Sequence, residues 1–461
     1  MPIAGYNGRF IYLGLLLLLL WSPIPLGSNR PWSAALLMLG IFLLAGCWLC
    51  LYSLGKVAIP APFILAKPCL LALALSVAWN GVQLIPLPEN WVDALSPYAT
   101  EVYASELKMQ GHSVPLSVDV DASLFSLLKG TAYLVFFGLV LLVVDSSHRL
   151  KMLACTLLVG GVLQASYASL RALSGQDWTD ANGTFVNRNH LAGYLEMCLG
   201  IGVGLLMSYP KINSSTRWRA RLKGVLQLLL GPKALIRIGL AIMVIALVLT
   251  KSRMGNTAFF TSLLISGSLS MALFKNAKRS AAILLASLII IDMFIVGQWF
   301  GIEKVATRIQ QTTLVTEDRD EADISALPLF KDYWLTGSGV GSFYNIFCQY
   351  DHNGSMGFWD HVHNDYVEFA CEFGVIGFVP LSLAVLFSLH AGMKAQLNQH
   401  TGIRRGMGFG SVMGIIAILI HSCVDFNLQI PSNALLFILN MAIAWIALSL
   451  RETPLTNEVG Q

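Results

Sequence analysis

The chain has 461 residues, of which 55% are hydrophobic and only 12% charged, and its mean hydropathy is +0.65. Soluble globular proteins carry about 25% charged residues, so this composition excludes a soluble globular domain and predicts an integral membrane protein. The net charge of +4 comes without a nucleic-acid-binding motif, and the eight Cys show no metal or disulfide spacing, so no nucleic acid, metal or cofactor is expected.

Apolar stretches long enough to cross a hydrocarbon core of roughly 30 Å recur along the whole sequence. They begin near Ile11, Ser33, Pro62, Leu124, Leu150, His190, Ile236, Asn256, Ser280, Tyr366, Gly406 and Ser432. We therefore predict an all-α polytopic membrane protein with about twelve transmembrane helices. Residues 1–461 are expected to form a single integral membrane domain.

Basic residues are distributed unevenly between alternate connections. With the amino terminus inside, the inner segments hold most of the Lys and Arg, whereas most acids lie in the outer segments or within helices. Lys and Arg near helix ends stay on the cytoplasmic side, so both termini are predicted to be cytoplasmic. The inner loops are short and carry no catalytic pattern, so the chemistry is expected on the outer face.

Three outer segments are long enough to carry function, namely 88–123, 174–189 and 301–365. The first contains "LPENWVDALSP", in which Pro, Asn and Ser at close intervals interrupt longer helices, so short helices are predicted. The third is the longest and is placed between the ninth and tenth spans. An outer site has no ATP supply in a bacterial envelope, so a transfer reaction there needs a donor that was activated inside.

Two arginines are predicted at the outer surface, each at the end of a span. Arg188 lies in "FVNRNH" and Arg253 in "TKSRMG". A guanidinium is permanently charged, and its planar fork fits two phosphate oxygens, so the pair could neutralise a diphosphate without a metal. The alternative is interfacial snorkelling by either side chain. Arg319 in "TEDRDEAD" is a weaker candidate because four acids surround it.

Titratable residues crowd the stretch "DHVHNDYVEFACEFGVIGF" just ahead of a span. A neutral imidazole can take a proton from a hydroxyl near neutral pH, which makes His361 and His363 candidate bases, although a structural role is the alternative. A helix that begins near Asp360 would align Asn364, Glu368 and Glu372 on one face. The two glutamates would then repel, unless one is protonated or an arginine lies between them. His363 has no acid at helical spacing, so its partner must come from another segment.

Two other polar motifs have less distinctive chemistry. "WLTGSGVGSF" resembles a phosphate loop but lacks a preceding strand and a following Lys-Ser/Thr, so a sharp turn is the better interpretation. "HSCVDFNLQIPSNA" places Asp425 at the outer end of the eleventh span, where Pro and Asn can simply end a helix.

The motifs "GTFVNRNHLAGYL", "SR", "LTGSGVGSF", "HNDYVEFACEFGVIG" and "DFNLQIPSNA" occur in this order and resemble the O-antigen ligase and polymerase superfamily of bacterial envelope glycosyltransferases. The resemblance implies a metal-independent, inverting enzyme of the GT-C type in the inner membrane. It would act at the periplasmic face on a glycan carried by undecaprenyl diphosphate.

The same resemblance implies roles for individual residues. His363 would be the catalytic base, and Arg188 and Arg253 would bind the diphosphate. Supporting or substrate-binding roles are expected for Asn187, Asn189, His190, Arg319, His361, Asn364, Glu368, Glu372 and Asp425.

The acceptor distinguishes the possible activities within this superfamily. A lipid A core sugar defines a ligase, which we favour; a growing polysaccharide defines a polymerase, and a protein Ser or Thr defines an oligosaccharyltransferase. A different class is a small-anion transporter that uses Glu196 and Asp292, two acids inside predicted spans, with Lys129 as a counter-charge for one of them. A membrane subunit without chemistry is the third possibility.

Overall fold

The computed structural model describes residues 8–105, 111–174, 181–209, 231–273, 318–350, 361–397 and 402–450, but not the side chains of residues 273 and 318–324. Helices dominate these ranges, and within them the β-type pairing consists of one isolated bridge between Leu87 and Val114. The prediction of an all-α polytopic protein is therefore confirmed.

Sixteen α-helices lie in the described ranges. In chain order they are α1 Arg9–Trp21, α2 Pro31–Ser53, α3 Ala61–Leu65, α4 Lys67–Gln83, α5 Glu89–Leu95, α6 Pro97–Ser105, α7 Val120–Val143, α8 Ser147–Leu173, α9 Arg188–Ser208, α10 Pro232–Leu249, α11 Arg253–Leu273, α12 Asp318–Asp332, α13 Phe343–Ile346, α14 Asp365–Gln396, α15 Gly402–His421 and α16 Pro431–Ser449.

Eight of the described helices are long and apolar enough to cross a membrane: α2, α7, α8, α9, α10, α14, α15 and α16. The span predicted near Ile11 is a helix of only 13 residues, and the one near Pro62 is divided into α3 and α4 at Ala66. The span predicted near Ser280 lies outside the described residues. The count of twelve therefore stays a prediction.

Glycines bring α9 and α15 into backbone contact at the centre of the bundle. A Cβ added at Gly410 of α15 would lie 2.6 Å from the carbonyl oxygen of Gly200 in α9, and one added at Gly204 would overlap the carbonyl of Gly406. Small residues allow the two backbones to approach this closely. In lipid, where burying apolar surface gains little free energy, the van der Waals packing of such close contacts stabilises helix association. This contact aligns the start of α9 with the end of α15.

Several helix ends meet at one end of the bundle, which we call the polar end and define by the start of α9, the start of α14 and the connection between α15 and α16. The backbone N–H of Asp365 donates to the carbonyl of Ser422 at 3.0 Å, and Asn433 of α16 donates to the carbonyl of His190 at 2.9 Å. At the opposite end, Arg404 donates to the last carbonyls of α16. The distribution of basic residues predicts which end faces the cytoplasm, and this orientation stays a prediction.

The glycine-rich stretch "LTGSGVGSF" packs against a break in α14. Gly374 interrupts the helix with φ +58° and ψ −178°, so the neighbouring backbone groups need other partners. The N–H of Val375 donates to the carbonyl of Trp334 at 2.8 Å, and Gln83 donates to the carbonyl of Glu372 at 2.9 Å. Irregular backbone inside a membrane protein requires this compensation. The stretch is therefore a turn that completes α14 rather than a phosphate loop.

The segments predicted to contain short helices contribute to a second small core. Helices α5, α6, α12 and α13 surround buried apolar side chains that include Val92, Tyr103, Leu329, Tyr333 and Phe343. Cys371 of α14 belongs to this core, and so does Val362, which lies just before that helix. The short helices predicted after "LPEN" are thus present as α5 and α6.

The start of α14 differs from the prediction. The helix begins at Asp365 instead of near Asp360, and Asn364 is its N-cap, accepting hydrogen bonds from the N–H groups of Tyr366 and Val367. An Asn side chain in extended backbone is a strong cap, because it satisfies donors that the first turn leaves open. His361 and His363 therefore precede the helix and do not lie on its face.

Candidate active site

Asp425, in the connection between α15 and α16, joins three segments at the polar end. Its Oδ2 accepts a hydrogen bond of 2.5 Å from Asn189 of α9, and its Oδ1 lies 3.6 Å from His363 Nδ1 and 3.7 Å from His190 Nε2. Burial raises the pKa of Asp425, but the neighbouring histidines outweigh burial and hold this pKa well below its usual range. Asp425 is therefore a buried acid whose ionised form is favoured by its neighbours.

The backbone at His363 has an unusual conformation. Its φ is +62°, in the left-handed region that side-chain-bearing residues seldom adopt. The next residue, Asn364, caps α14, and the N–H of Asp365 is bound to the carbonyl of Ser422. These contacts hold the turn in place, so the side chain of His363 faces Asp425 while about a fifth of it, 19%, stays exposed.

Three imidazoles surround the ring of Phe426. The ring of His361 stacks on it with centroids 4.4 Å apart, and the rings of His190 and His363 approach edge-on at 4.7 Å. Phe426 follows Asp425 directly, so one dipeptide of the chain supplies both the charge and the packing surface for the histidines.

His361 has an acidic partner of its own. Its Nδ1 lies 2.7 Å from Oε1 of Glu368, and the other oxygen of Glu368 accepts from the N–H of Val362 at 3.3 Å. Burial lowers the pKa of His361, but the Glu368 carboxylate outweighs burial, so the net pKa is raised. His361 is therefore held as part of an ion pair, whereas His363 faces the shared carboxylate of Asp425.

Each of the three acids in the first turns of α14 has hydrogen-bond partners of its own. Asp365 accepts from the hydroxyl of Ser422 at 2.6 Å and from the N–H of Leu428 at 3.1 Å. Glu368 binds His361, and Glu372 accepts from the N–H of Phe343 at 3.2 Å. Of the two alternatives for relieving repulsion between the glutamates, an arginine or a protonated acid, neither is shown, but Lys129 of α7 is a cation near both glutamates.

The two arginines predicted to bind a diphosphate begin two neighbouring helices. Arg188 is the first residue of α9, after its cap Asn187, and Arg253 is the first residue of α11. A Cβ added at Gly255 would lie 2.6 Å from the Cβ of Ala192, so the first turn of α11 packs on the first turns of α9. Helix starts carry positive partial charge, which adds to the guanidiniums. The side chain of Arg319 lies outside the described residues.

A buried pair beneath the site accounts for one acid that the transporter hypothesis used. Glu196 of α9 lies 2.9 Å from His421 Nδ1 of α15, and both side chains are fully buried. Asp292 lies outside the described residues, and Lys129 is a neighbour of Glu372 and Glu368 rather than of Glu196. The pairing was missed because its residues lie far apart in sequence, although an acid inside a span always requires a partner.

In the described part of the chain, no group of three His, Cys, Asp or Glu side chains has an arrangement that could hold a metal ion. The polar end instead presents one carboxylate faced by two histidines, a separate histidine–glutamate pair and two arginine-bearing helix starts. Such a set can accept a proton and bind an anion.

Comparison with known proteins gives a family for the middle of the chain. Residues 238–382 match the model of the family described as O-antigen ligase, which covers just under a third of the chain. No match to a curated protein was found. The predicted resemblance is thus confirmed over these residues, and the eight long apolar helices indicate a multi-pass membrane protein. The match supports a glycosyl-transferring enzyme of the ligase or polymerase type. Arg253 and His363 lie inside the matched residues, whereas Arg188 and Asp425 lie outside.

Proposed function

We propose that this protein transfers a glycan from undecaprenyl diphosphate to a sugar hydroxyl of the lipid A core at the periplasmic face of a bacterial inner membrane. His363 is the base, and Arg188 and Arg253 bind the diphosphate. The observation that carries the proposal is the set of contacts around Asp425, because this carboxylate contacts His363 and binds Asn189, the neighbour of Arg188.

The proposed reaction is a single displacement. The acceptor hydroxyl attacks the anomeric carbon, its proton passes to Nε2 of His363, and the bond from that carbon to the diphosphate oxygen breaks. Attack on the face opposite the diphosphate inverts the configuration. The products are the glycosylated acceptor and undecaprenyl diphosphate, and the imidazolium then returns its proton to water.

Asp425 supports this chemistry by orienting the base. A carboxylate beside Nδ1 favours the tautomer that leaves Nε2 unprotonated, and it stabilises the imidazolium once the proton has moved. Asp425 itself has no need to change its protonation state. The side chain of Asn189 donates to Oδ2 of Asp425 at 2.5 Å, and the backbone N–H of Phe426 donates to Oδ1 at 2.9 Å. These two hydrogen bonds keep the carboxylate aligned.

The arginines support departure of the leaving group. Negative charge grows on the diphosphate as its bond to the sugar breaks, and preorganised cations stabilise that charge without a metal ion. Loss of one such stabiliser typically lowers kcat by about a hundredfold to a thousandfold. The helix starts of α9 and α11 direct their N–H groups and positive partial charge to the same end of the bundle as Arg188 and Arg253.

A reconstituted transfer assay tests the proposal. The full chain in proteoliposomes receives an undecaprenyl-diphosphate-linked glycan and lipid A core, and we expect His363→Ala to lower transfer by about a hundredfold or more. His148→Ala is the matched control, since His148 is an exposed histidine at the opposite end of the bundle. Wild-type transfer by a folded His363→Ala protein would refute the proposal.

A further inference from the structure

A cavity of about 390 Å³ lies between α4, α7, α14 and α16 and is separate from the cluster of histidines. Most of its wall is hydrocarbon, contributed by side chains such as Leu73, Val77, Leu134, Phe373 and Phe437. Its volume falls in the range of small-molecule sites, and an apolar wall at membrane depth suits a hydrocarbon chain.

Polar residues also line the same cavity. Asn80 Oδ1, Tyr133 Oη, Asp365 Oδ1 and Gln429 Nε2 have no hydrogen-bond partner among the described residues. The side chains of Asn80 and Asp365 are almost completely buried, at 3% and 1% exposure. These residues give a mainly apolar cavity one polar side, although the atoms themselves are buried beneath its surface.

Lys129 adds a positive charge to this wall. It forms no hydrogen bond or close ion pair with any residue that the structure describes, although the charges of Glu372 and Glu368 attract it. Each of these acids already accepts from other donors, namely the N–H of Phe343 and the pair of His361 and Val362. The ammonium therefore has capacity to bind an anionic group within the cavity.

The position of Lys129 sets where the charged group of a ligand would lie. Lys129 is about 14 Å along α7 from the start of that helix, and helical side chains generally tilt toward the start of their helix, so a ligand's charged group is expected on that side of Lys129. Asp365 also lines the cavity, and its Oδ2 accepts hydrogen bonds from the hydroxyl of Ser422 and the N–H of Leu428.

We propose that this cavity binds one hydrocarbon chain of a lipid whose oxyanionic head group pairs with Lys129. A polar solute would make no favourable apolar contacts with the hydrocarbon wall, and a single ion would leave most of the cavity volume empty. The identity of the lipid rests on the glycosyl transfer proposed above, which supplies two sources, the diphosphate-linked donor and the acylated acceptor.

Photolabelling of the full chain in nanodiscs tests the cavity. The probe is palmitic acid with a diazirine on its chain, and the labelled residues are mapped by mass spectrometry. We expect labels on the cavity walls of α7 and α14, reduced about tenfold or more in Gly130→Leu, which fills the space with a side chain. Gly130 tolerates a larger residue, because a Cβ there meets its nearest neighbour, Val77, at 3.5 Å.

Matched variants separate cavity effects from folding effects. Gly138→Ala changes the same helix away from the cavity and should label like the wild type, because its Cβ meets Phe63 at an ordinary 3.6 Å. Lys129→Met should weaken labelling by the acid but not by its methyl ester, and Lys129→Arg should restore it. Equal labelling of Gly130→Leu and wild type, or Lys129→Met without effect on the acid, would overturn the proposal.

Competition identifies the natural lipid. Loss of labelling with undecaprenyl diphosphate would assign the cavity to the donor, and loss with lipid A core would assign it to the acceptor; competition by neither would overturn the proposal. The His363→Ala protein should label normally even where it transfers nothing. Lipid binding by a wild-type protein that transfers no glycan would therefore refute the proposed function alone. Transfer by a wild-type protein whose cavity binds no lipid would refute the cavity proposal alone.

Discussion

The contacts of His363 come from residues that are distant in sequence. Its imidazole faces Asp425, which follows α15, and its left-handed backbone is held by Asn364 and by the bond from Asp365 to Ser422. The sequence motifs named His363, Arg188 and Arg253 as candidate site residues. It could not predict Asp425 as the partner of His363, because that contact depends on how α14 and α15 pack.

Replacing Asp425 by Asn should separate catalysis from binding. The amide retains the size of the side chain but removes the charge that orients His363 and stabilises its imidazolium, so kcat should fall by about a hundredfold or more while KM changes little. Steady-state transfer kinetics in proteoliposomes measure both constants. Asp145→Asn, an exposed acid at the opposite end, is the control. An unchanged kcat for Asp425→Asn would show that the carboxylate does not assist the base.

The pair of His361 and Glu368 should make stability depend on pH. The pKa of His361 is raised in the folded protein, so the pair stabilises the fold fully below the unfolded pKa of about 6.5 and loses this contribution as pH rises through the folded value. The difference in Tm between wild type and His361→Gln in detergent should therefore shrink between pH 6 and pH 9. A difference that grows with pH would contradict the assigned ion pair.

At the scale of single elements, α14 departs most from what its sequence suggests. Both Asp360 and Asn364 are good capping residues, and periodicity alone did not distinguish them; the structure uses Asn364. The break at Gly374 was also not predicted, because it depends on the turn of residues 334–341 and on Gln83 for its hydrogen bonds. The hydropathy of the other long helices, in contrast, was sufficient to locate them.

The contact between α9 and α15 should not tolerate a single added methyl group. Gly204→Ala places a Cβ against the backbone carbonyl of Gly406, which cannot move aside as a side chain could, so the helices must separate and Tm should fall. Gly46→Ala in α2 is the matched control, since a Cβ there has nothing within 4 Å and the change favours a helix. Equal Tm values for the two variants would contradict the close packing.

At the scale of the whole molecule, the candidate site draws on several segments of the bundle. The residues that match the O-antigen ligase family supply Arg253, His361 and His363, whereas α9 and the connection after α15 supply Arg188 and Asp425 from outside the match. The order of motifs in the sequence therefore named candidate residues that the fold places at one end of the bundle. Their arrangement follows from the glycine contact of α9 with α15, which no local pattern specifies.

The affinity of the purified full chain for undecaprenyl diphosphate tests the central claim most directly. With the protein in nanodiscs, Arg188→Ala and Arg253→Ala should each raise Kd by about tenfold or more, because each removes a charge-assisted contact with the diphosphate. Arg30→Ala, which removes an exposed arginine at the same end of the bundle, should bind like the wild type. Wild-type affinity in both folded variants, Arg188→Ala and Arg253→Ala, would contradict the account.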